Sequence, residues 1–238
     1  MWLGAGERET PAIWLLSGSS PQKVSTTAID SEIATFTAED IQSCFAWSYA
    51  EAGAYFVGFT FPNATFVYDL ITQRWHERES QVINNKGFTE VARWRCNSVV
   101  QAYGRIIGAD SQDGRLGELS TKFYTEYEQP LLSFFTTSPL YDEGKAVSVT
   151  SCELVLESGV GSLTEAARVR MQTSQDGRVF KDSLTREFGK TGEYDARAIW
   201  NKMGRFAKTA VFKFTISDPY KRAVLALELN VRRGRSRG

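Results

Sequence analysis

The undecapeptide VYDLITQRWHE, residues 67–77, decides how this chain is read, because it returns 49 residues later as LGELSTKFYTE, residues 116–126. The shared pattern is apolar, x, acidic, Leu, x, Thr, Gln or Lys, x, aromatic, x, Glu. It reads as a strand that ends at the acidic residue, a Thr-containing turn, and a return strand whose aromatic packs between neighbouring sheets. An offset near 50 residues is the period of kelch-type propeller blades. Two hairpins that converged on the same turn residues are the alternative, and the agreement of offset with pattern favours blades.

Working outward, short strand-like runs dominate. Residues 12–16 form one. The run AYFVGFTF (54–61), the turn Pro62-Asn63 and TFVYD (65–69) read as a hairpin, with 73–79 as the next strand. Residues 97–103 and 105–108 flank Gly104 as another hairpin, and a further pair surrounds Asp113-Gly114. Helical turns are expected only near 31–36 and 37–45, where Thr37-x-x-Asp40 resembles a capping box with Asp in place of Glu. Beyond the connector TTSPLYDEG (136–144) come longer alternating runs at 147–157, 167–173, 196–200, 209–216 and 223–231. Together these suggest a compact β-sandwich. The fold class is therefore all-β: partial propeller blades over 1–137, then a sandwich with a basic tail over 138–238.

Composition fits such a scaffold. A chain of 238 residues with 42% hydrophobic and 13% aromatic content buries a core without metal or disulfide staples. Lys and Arg (28) balance Asp and Glu (28), so no overall field draws the molecule to nucleic acid or membrane. The end is an exception: VRRGRSRG places Arg232, Arg233, Arg235 and Arg237 within eight residues. That tail reads either as a solvated terminus or as a set of phosphate contacts. The three cysteines, Cys44, Cys96 and Cys152, make neither a CxxC pair nor a zinc pattern, which suits a reducing compartment. The opening MWLGAGERET lacks the charge and apolar core of a signal peptide, and no run is long enough for a membrane helix.

Catalytic signals are sparse. The single histidine, His76, sits beside Trp75 on a predicted strand and reads as a solvent-facing side chain. There is no GxSxG, and the loop glycines Gly4, Gly6, Gly159 and Gly161 lack phosphate-loop spacing. The pentapeptide SQDGR occurs twice, at 111–115 and 174–178, and each copy is expected to be a hairpin turn. The second copy, with Val179-Phe180, resembles the Asp box of sialidase-type propellers but is one residue short. The residues assign no catalytic, cofactor-binding or metal-ligating group. Two alternatives stay open: a glycan-binding module stacking sugars on Trp47, Trp75 and Trp94, and a sialidase-like glycosidase.

Several stretches, taken in order, resemble the packaged-DNA stabilisation proteins, or tail hub proteins, of short-tailed bacteriophages. They are PQKVSTTAI (21–29), TFVYD with WHER (65–69, 75–78), DGRLGEL (113–119), RMQTSQDGR (170–178), GEYDARAIW (192–200), GRF (204–206) and SDP (217–219). The resemblance implies a virion tail protein without catalysis or cofactors, made in the host cytoplasm and assembled below the portal and adaptor rings. It would close the DNA exit channel, retain packaged double-stranded DNA and connect to the tail needle or distal tail, as a ring expected to be a hexamer. Arg232, Arg233, Arg235 and Arg237 are the candidate DNA phosphate contacts. Members of the family are usually about twice this length, and Met1-Trp2-Leu3-Gly4 reads like the middle of a blade. The chain is thus expected to be a fragment, a split-gene product, or a short homologue completed by neighbouring subunits.

Overall fold

Many of the hairpins reverse at residues with positive φ, and the longer strands turn alternate apolar side chains inward. The computed structural model describes residues 1–6, 9–83, 86–87, 89–181 and 183–233, with residue 233 in backbone only. The chain divides into two compact units, Met1–Thr121 and Lys122–Gly238.

The first unit opens with β1 (Trp2–Gly4), β2 (Ala12–Ser17) and β3 (Ser20–Lys23), a three-stranded antiparallel sheet. Two short helices follow, α1 (Thr27–Ile33) and α2 (Ala38–Gln42). Around Thr37 the capping box forms as read: Asp40 N–H donates to Thr37 Oγ1 (3.1 Å) and Thr37 N–H to Asp40 Oδ2 (3.0 Å). The first helix starts earlier than expected, with Thr26 as its N-cap. Its position is set by Ile29 and Ile33, four residues apart on one face, which pack into a core with Ile13, Phe59, Phe61 and Phe66.

A complete four-stranded blade comes next: β4 (Phe45–Glu51), β5 (Ala54–Thr60), β6 (Thr65–Asp69) and β7 (Arg74–Glu77), paired in that order. A hairpin of β8 (Glu79–Ile83) and β9 (Thr89–Arg93) leads to a three-stranded sheet of β10 (Cys96–Ala102), β11 (Arg105–Asp110) and β12 (Leu116–Leu119). In both sheets the first hairpin closes through two residues at positive φ, Ala52-Gly53 (49° and 85°) and Tyr103-Gly104 (53° and 70°). These are the primed turns that match strand twist.

The 49-residue repeat holds in the strand and fails in the turn and the return strand. In the first copy Asp69 ends β6, accepts from Ile71 N–H (3.0 Å) and Thr72 Oγ1 (2.7 Å), and hands the chain to β7. Trp75 on β7 lies 4.9 Å from Tyr68 and donates to the Val24 carbonyl (2.8 Å), tying the blade to the preceding sheet. In the second copy Thr121 N–H is instead held by Glu51 Oε1 (2.7 Å). The segment after it, β13 (Thr125–Glu126), pairs with β14 (Gln129–Pro130) in the second unit and not with β12. One further recurrence was not evident from sequence. Trp47 covers Gly58 so closely that a Cβ there would overlap the indole, and Cys96 Sγ sits 2.6 Å from where a Gly108 Cβ would lie.

The second unit is the sandwich. Following β15 (Ser133–Thr136), β16 (Leu140–Tyr141) and β17 (Val147–Leu156) come β18 (Arg168–Ser174), β19 (Leu184–Glu187), β20 (Ala198–Phe206), β21 (Thr209–Ile216) and β22 (Val224–Arg233). One sheet runs β15-β21-β18-β19, with β16 also on β21; the other runs β20-β17-β22. Their inner faces share Val169, Met171, Phe188, Trp200, Phe212 and Phe214, all almost fully buried. Alternation along β21 points Phe212, Phe214 and Ile216 inward, as the sequence indicated. The sequence reading placed residues 133–136 among the blades. Ser133–Thr136 instead hydrogen-bonds to Lys213–Ile216, because Phe135 stacks on Phe214 at 5.2 Å across that pairing.

Because Gly58 leaves no room for a side chain beneath Trp47, Gly58→Ala should lower stability by about 1–3 kcal/mol. Denaturant unfolding followed by tryptophan fluorescence reads the loss.

Candidate functional site

The densest chemistry lies between the blade β4–β7 and the sheet β10–β12. Arg78 leaves β7 with its N–H on the Thr65 carbonyl (3.0 Å) and its own carbonyl accepting from Trp94 N–H (3.2 Å). Its guanidinium stands over four rings: Trp94 at 4.9 Å, Phe56 at 5.2 Å, Tyr49 at 5.3 Å and Trp47 at 5.4 Å. One nitrogen donates to Tyr49 Oη at 2.6 Å. Burial raises the Tyr49 pKa, and the Arg78 cation opposes that rise. A cage of aromatic faces is the shape that recognises an ammonium ligand. Here the chain fills it with its own side chain, so the cage acts as a clamp.

Beside it lies an ion cluster. Arg95 and Asp110 are buried and joined by two hydrogen bonds, one of them Nε to Oδ1 at 2.9 Å. Asp110 also accepts from Gln112 N–H (2.9 Å), and Arg95 N–H donates to Ser80 Oγ (2.9 Å). Arg115 reaches Asp113 at 2.6 Å and Asp110 at 3.7 Å. The first SQDGR therefore supplies the outer half of a charge network that fastens β11 and β12 to the segment before β10. Its hydrogen bond to Arg115 pulls the Asp113 pKa down to about 2.

The second SQDGR does different work. Ser174 Oγ accepts from Asp176 N–H (3.3 Å) and Gly177 N–H (2.9 Å), and Asp176 Oδ1 accepts from Arg178 and Val179 N–H (both 2.9 Å). Those backbone donors draw the Asp176 pKa to about 2. Lys181 N–H then returns to the Thr173 carbonyl, so this copy caps a wide loop between β18 and β19 where a tight hairpin was expected. It is a self-satisfied turn, as an Asp box would be.

His76 on β7 shares a face with Val67, Gly58 and Trp47 and is exposed at its rim, edge-on to Phe56 at 5.7 Å. Although its edge is open to solvent, desolvation by its neighbours and then the Arg78 cation lower its pKa to about 4, leaving a neutral imidazole at pH 7. Of the tryptophans weighed as sugar platforms, Trp47 and Trp94 are buried and Trp75 half-buried, with its ring on Tyr68. Cys44 and Cys152 are pushed up to about 12 by burial and are unreactive thiols at neutral pH.

On the outer face of the sandwich sheet, register sets Thr185, Arg170 and Thr215 in one row. With Arg168, Ser217 and Asp218 they line a shallow pocket of about 250 Å³. Asp218 is already bound by Arg168 through its side chain (3.2 Å) and its N–H (2.9 Å). This leaves Arg170 with three hydroxyls, a small surface suited to an anionic group. Of the basic tail, Arg232 lies exposed on β22 and Arg233 ends that strand; Arg235 and Arg237 lie outside the described residues. Among the described residues no three His, Cys, Asp or Glu side chains converge as metal ligands.

Two family models match the chain. One, described as Bacteriophage P22 Gp10, beta-propeller, covers residues 1–124. The other, described as Bacteriophage P22 Gp10, beta-sandwich, covers residues 133–232. No curated protein matches it.

Two outcomes follow from the charge geometry. Asp110→Ala removes both close hydrogen bonds from the buried Arg95 guanidinium, leaving Asp113 at 3.6 Å, and should cost about 3 kcal/mol, read as a lower unfolding midpoint. Asp113 and Asp176 titrate below an unfolded carboxylate near 3.9, so their contribution is complete above about pH 4 and disappears as pH falls toward 2. Thermal scans from pH 5 to 2 should show that loss, flattened in an Asp113→Ala, Asp176→Ala variant.

Proposed function

We propose, since this chain belongs to the bacteriophage P22 Gp10 family of structural tail proteins, that it closes and extends the DNA exit channel below the portal and adaptor. In that place it retains packaged DNA and links to the tail needle or distal tail, as a virion component assembled in the host cytoplasm. It acts in a ring, a hexamer, and without catalysis. The observation that carries the reading is that both domains of the family are matched, in order, along almost the whole chain.

One feature supports it. Exposed apolar side chains such as Ile71, Leu116, Tyr194 and Leu225 suit a subunit whose work is done by contacts with neighbours. Arg232, Arg233, Arg235 and Arg237 supply non-specific contacts to DNA phosphates, and a ring multiplies their modest individual contribution.

The test is assembly. Mixed with portal and adaptor rings, the purified protein should add as a ring visible by electron microscopy, and particles lacking it should package DNA and then lose it. A monomer with no affinity for either ring would overturn the reading. Replacing the four arginines by alanine should leave ring docking intact. It should also reduce the slope of log K against log salt for duplex DNA by up to about 0.9 per arginine.

A further inference from the structure

The sandwich protects its sheet edges unevenly. At one side of the sheet β20-β17-β22, Arg186 Nε donates to the Ile199 carbonyl (2.7 Å) and Trp200 Nε1 to the Leu184 carbonyl (2.9 Å), so β20 is covered by β19. At the other side β22 runs ten residues, VLALELNVRR, and among the described residues no strand pairs with its outer edge. Leu225 is 70% exposed, and Val224 and Val231 each 43%. A long, partly apolar, unpaired edge is a template for another strand.

The charge pattern on that strand selects its partner. Glu228, Asn230 and Arg232 are exposed at alternate positions and so share one face. Neither Glu228 nor Arg232 has an ion-pair partner among the described residues. Arg197, whose field reaches Glu228, is already committed to Glu153 through two bonds of 2.7 and 2.5 Å. The Asn230 carbonyl accepts from Thr150 Oγ1 on β17 (3.0 Å). Strand alternation then leaves the backbone groups of Leu229 and Val231 on the open side.

We propose that β22 pairs antiparallel with β22 of a second copy about a two-fold axis through Asn230. In that register Leu229 of one copy exchanges backbone hydrogen bonds with Val231 of the other. Glu228 stands opposite Arg232 twice over, and opposite charges across a strand pair stabilise it. A β-strand added by a different protein would need its own complementary charges, whereas this strand carries both signs at the spacing that matches itself. Arg232 is then engaged by Glu228, which leaves Arg233, Arg235 and Arg237 for phosphate. A two-fold contact closes at two copies, so it is separate from the proposed ring and exists without it.

Sedimentation of the full chain from about 1 to several hundred micromolar tests this, since an interface of one strand pair is small and weak. The wild type should shift from monomer to dimer mass with concentration. Glu228→Arg and Arg232→Glu should each raise the dimer Kd at least about tenfold, and the double reversal should restore it. Asn230→Cys should form a disulfide-linked dimer on mild oxidation, and Ala226→Cys should not. A chain monomeric throughout the range overturns the pairing. So does association, including ring formation, that ignores both single reversals, though such rings would leave the tail assignment standing. A dimer that responds to charge but does not cross-link at position 230 overturns the register.

Discussion

The N-terminal unit depends on one arginine. The blade β4–β7 buries one face through Phe59 and Phe66 and turns Trp47, Tyr49 and Val67 across a gap toward Trp94 and the β10–β12 sheet. Arg78 spans that gap. Its guanidinium is planar, weakly hydrated and always charged, so it can lie against Trp47, Tyr49, Phe56 and Trp94 while one nitrogen bonds the tyrosine hydroxyl. These rings come from β4, β5 and the segment before β10. Without that side chain the direct contact of Trp47 with Trp94 (4.9 Å) would remain, but Tyr49 and Phe56 would lose the guanidinium that joins them to Trp94. A lysine would retain the charge and lose the flat stacking surface.

The ion cluster next to it solves the same problem by another route. Arg95 and Asp110 remove two charges from water, which is tolerable because they are hydrogen-bonded to each other, Asp110 also accepts from Gln112 N–H, and Asp113 stands 3.6 Å from the Arg95 guanidinium. The sandwich keeps its cations at the rim, with Lys213 over Phe134 and Arg222 bonded to Ser133, Tyr124 and Asp218. Its two sheets bury Trp200, Phe212 and Phe214 between them, and alternation along long strands is enough. The difference in sheet length explains why buried polar anchors concentrate in the first unit.

The twin SQDGR segments show how little sequence identity says about local role. Both use Asp-Gly to turn the chain, with Gly114 and Gly177 at φ of 72° and 73°. In the first, Asp113 looks outward to Arg115 and toward the buried pair. In the second, Ser174 and Asp176 satisfy the turn's own backbone. The five residues are the same, and the partners differ because the strands that deliver them differ.

Read alone, the sequence determined the all-β class, the hairpin at Gly104, the Thr37–Asp40 capping box and the inward row of β21. Each of these is a local matter of period or turn chemistry over a few residues. It also contained the repeat, but not the fate of its second return strand, which left β12 to pair with β14. Start of α1, placement of β15, the Arg78 cage and the Arg95–Asp110 pair were settled only in three dimensions. All four depend on contacts between residues far apart in the chain, whose geometry no local pattern records. The charges of β22 lie between these cases: the strand and its signs are legible in VLALELNVRR, while the open edge that gives them a use exists only once β17 has taken the other side.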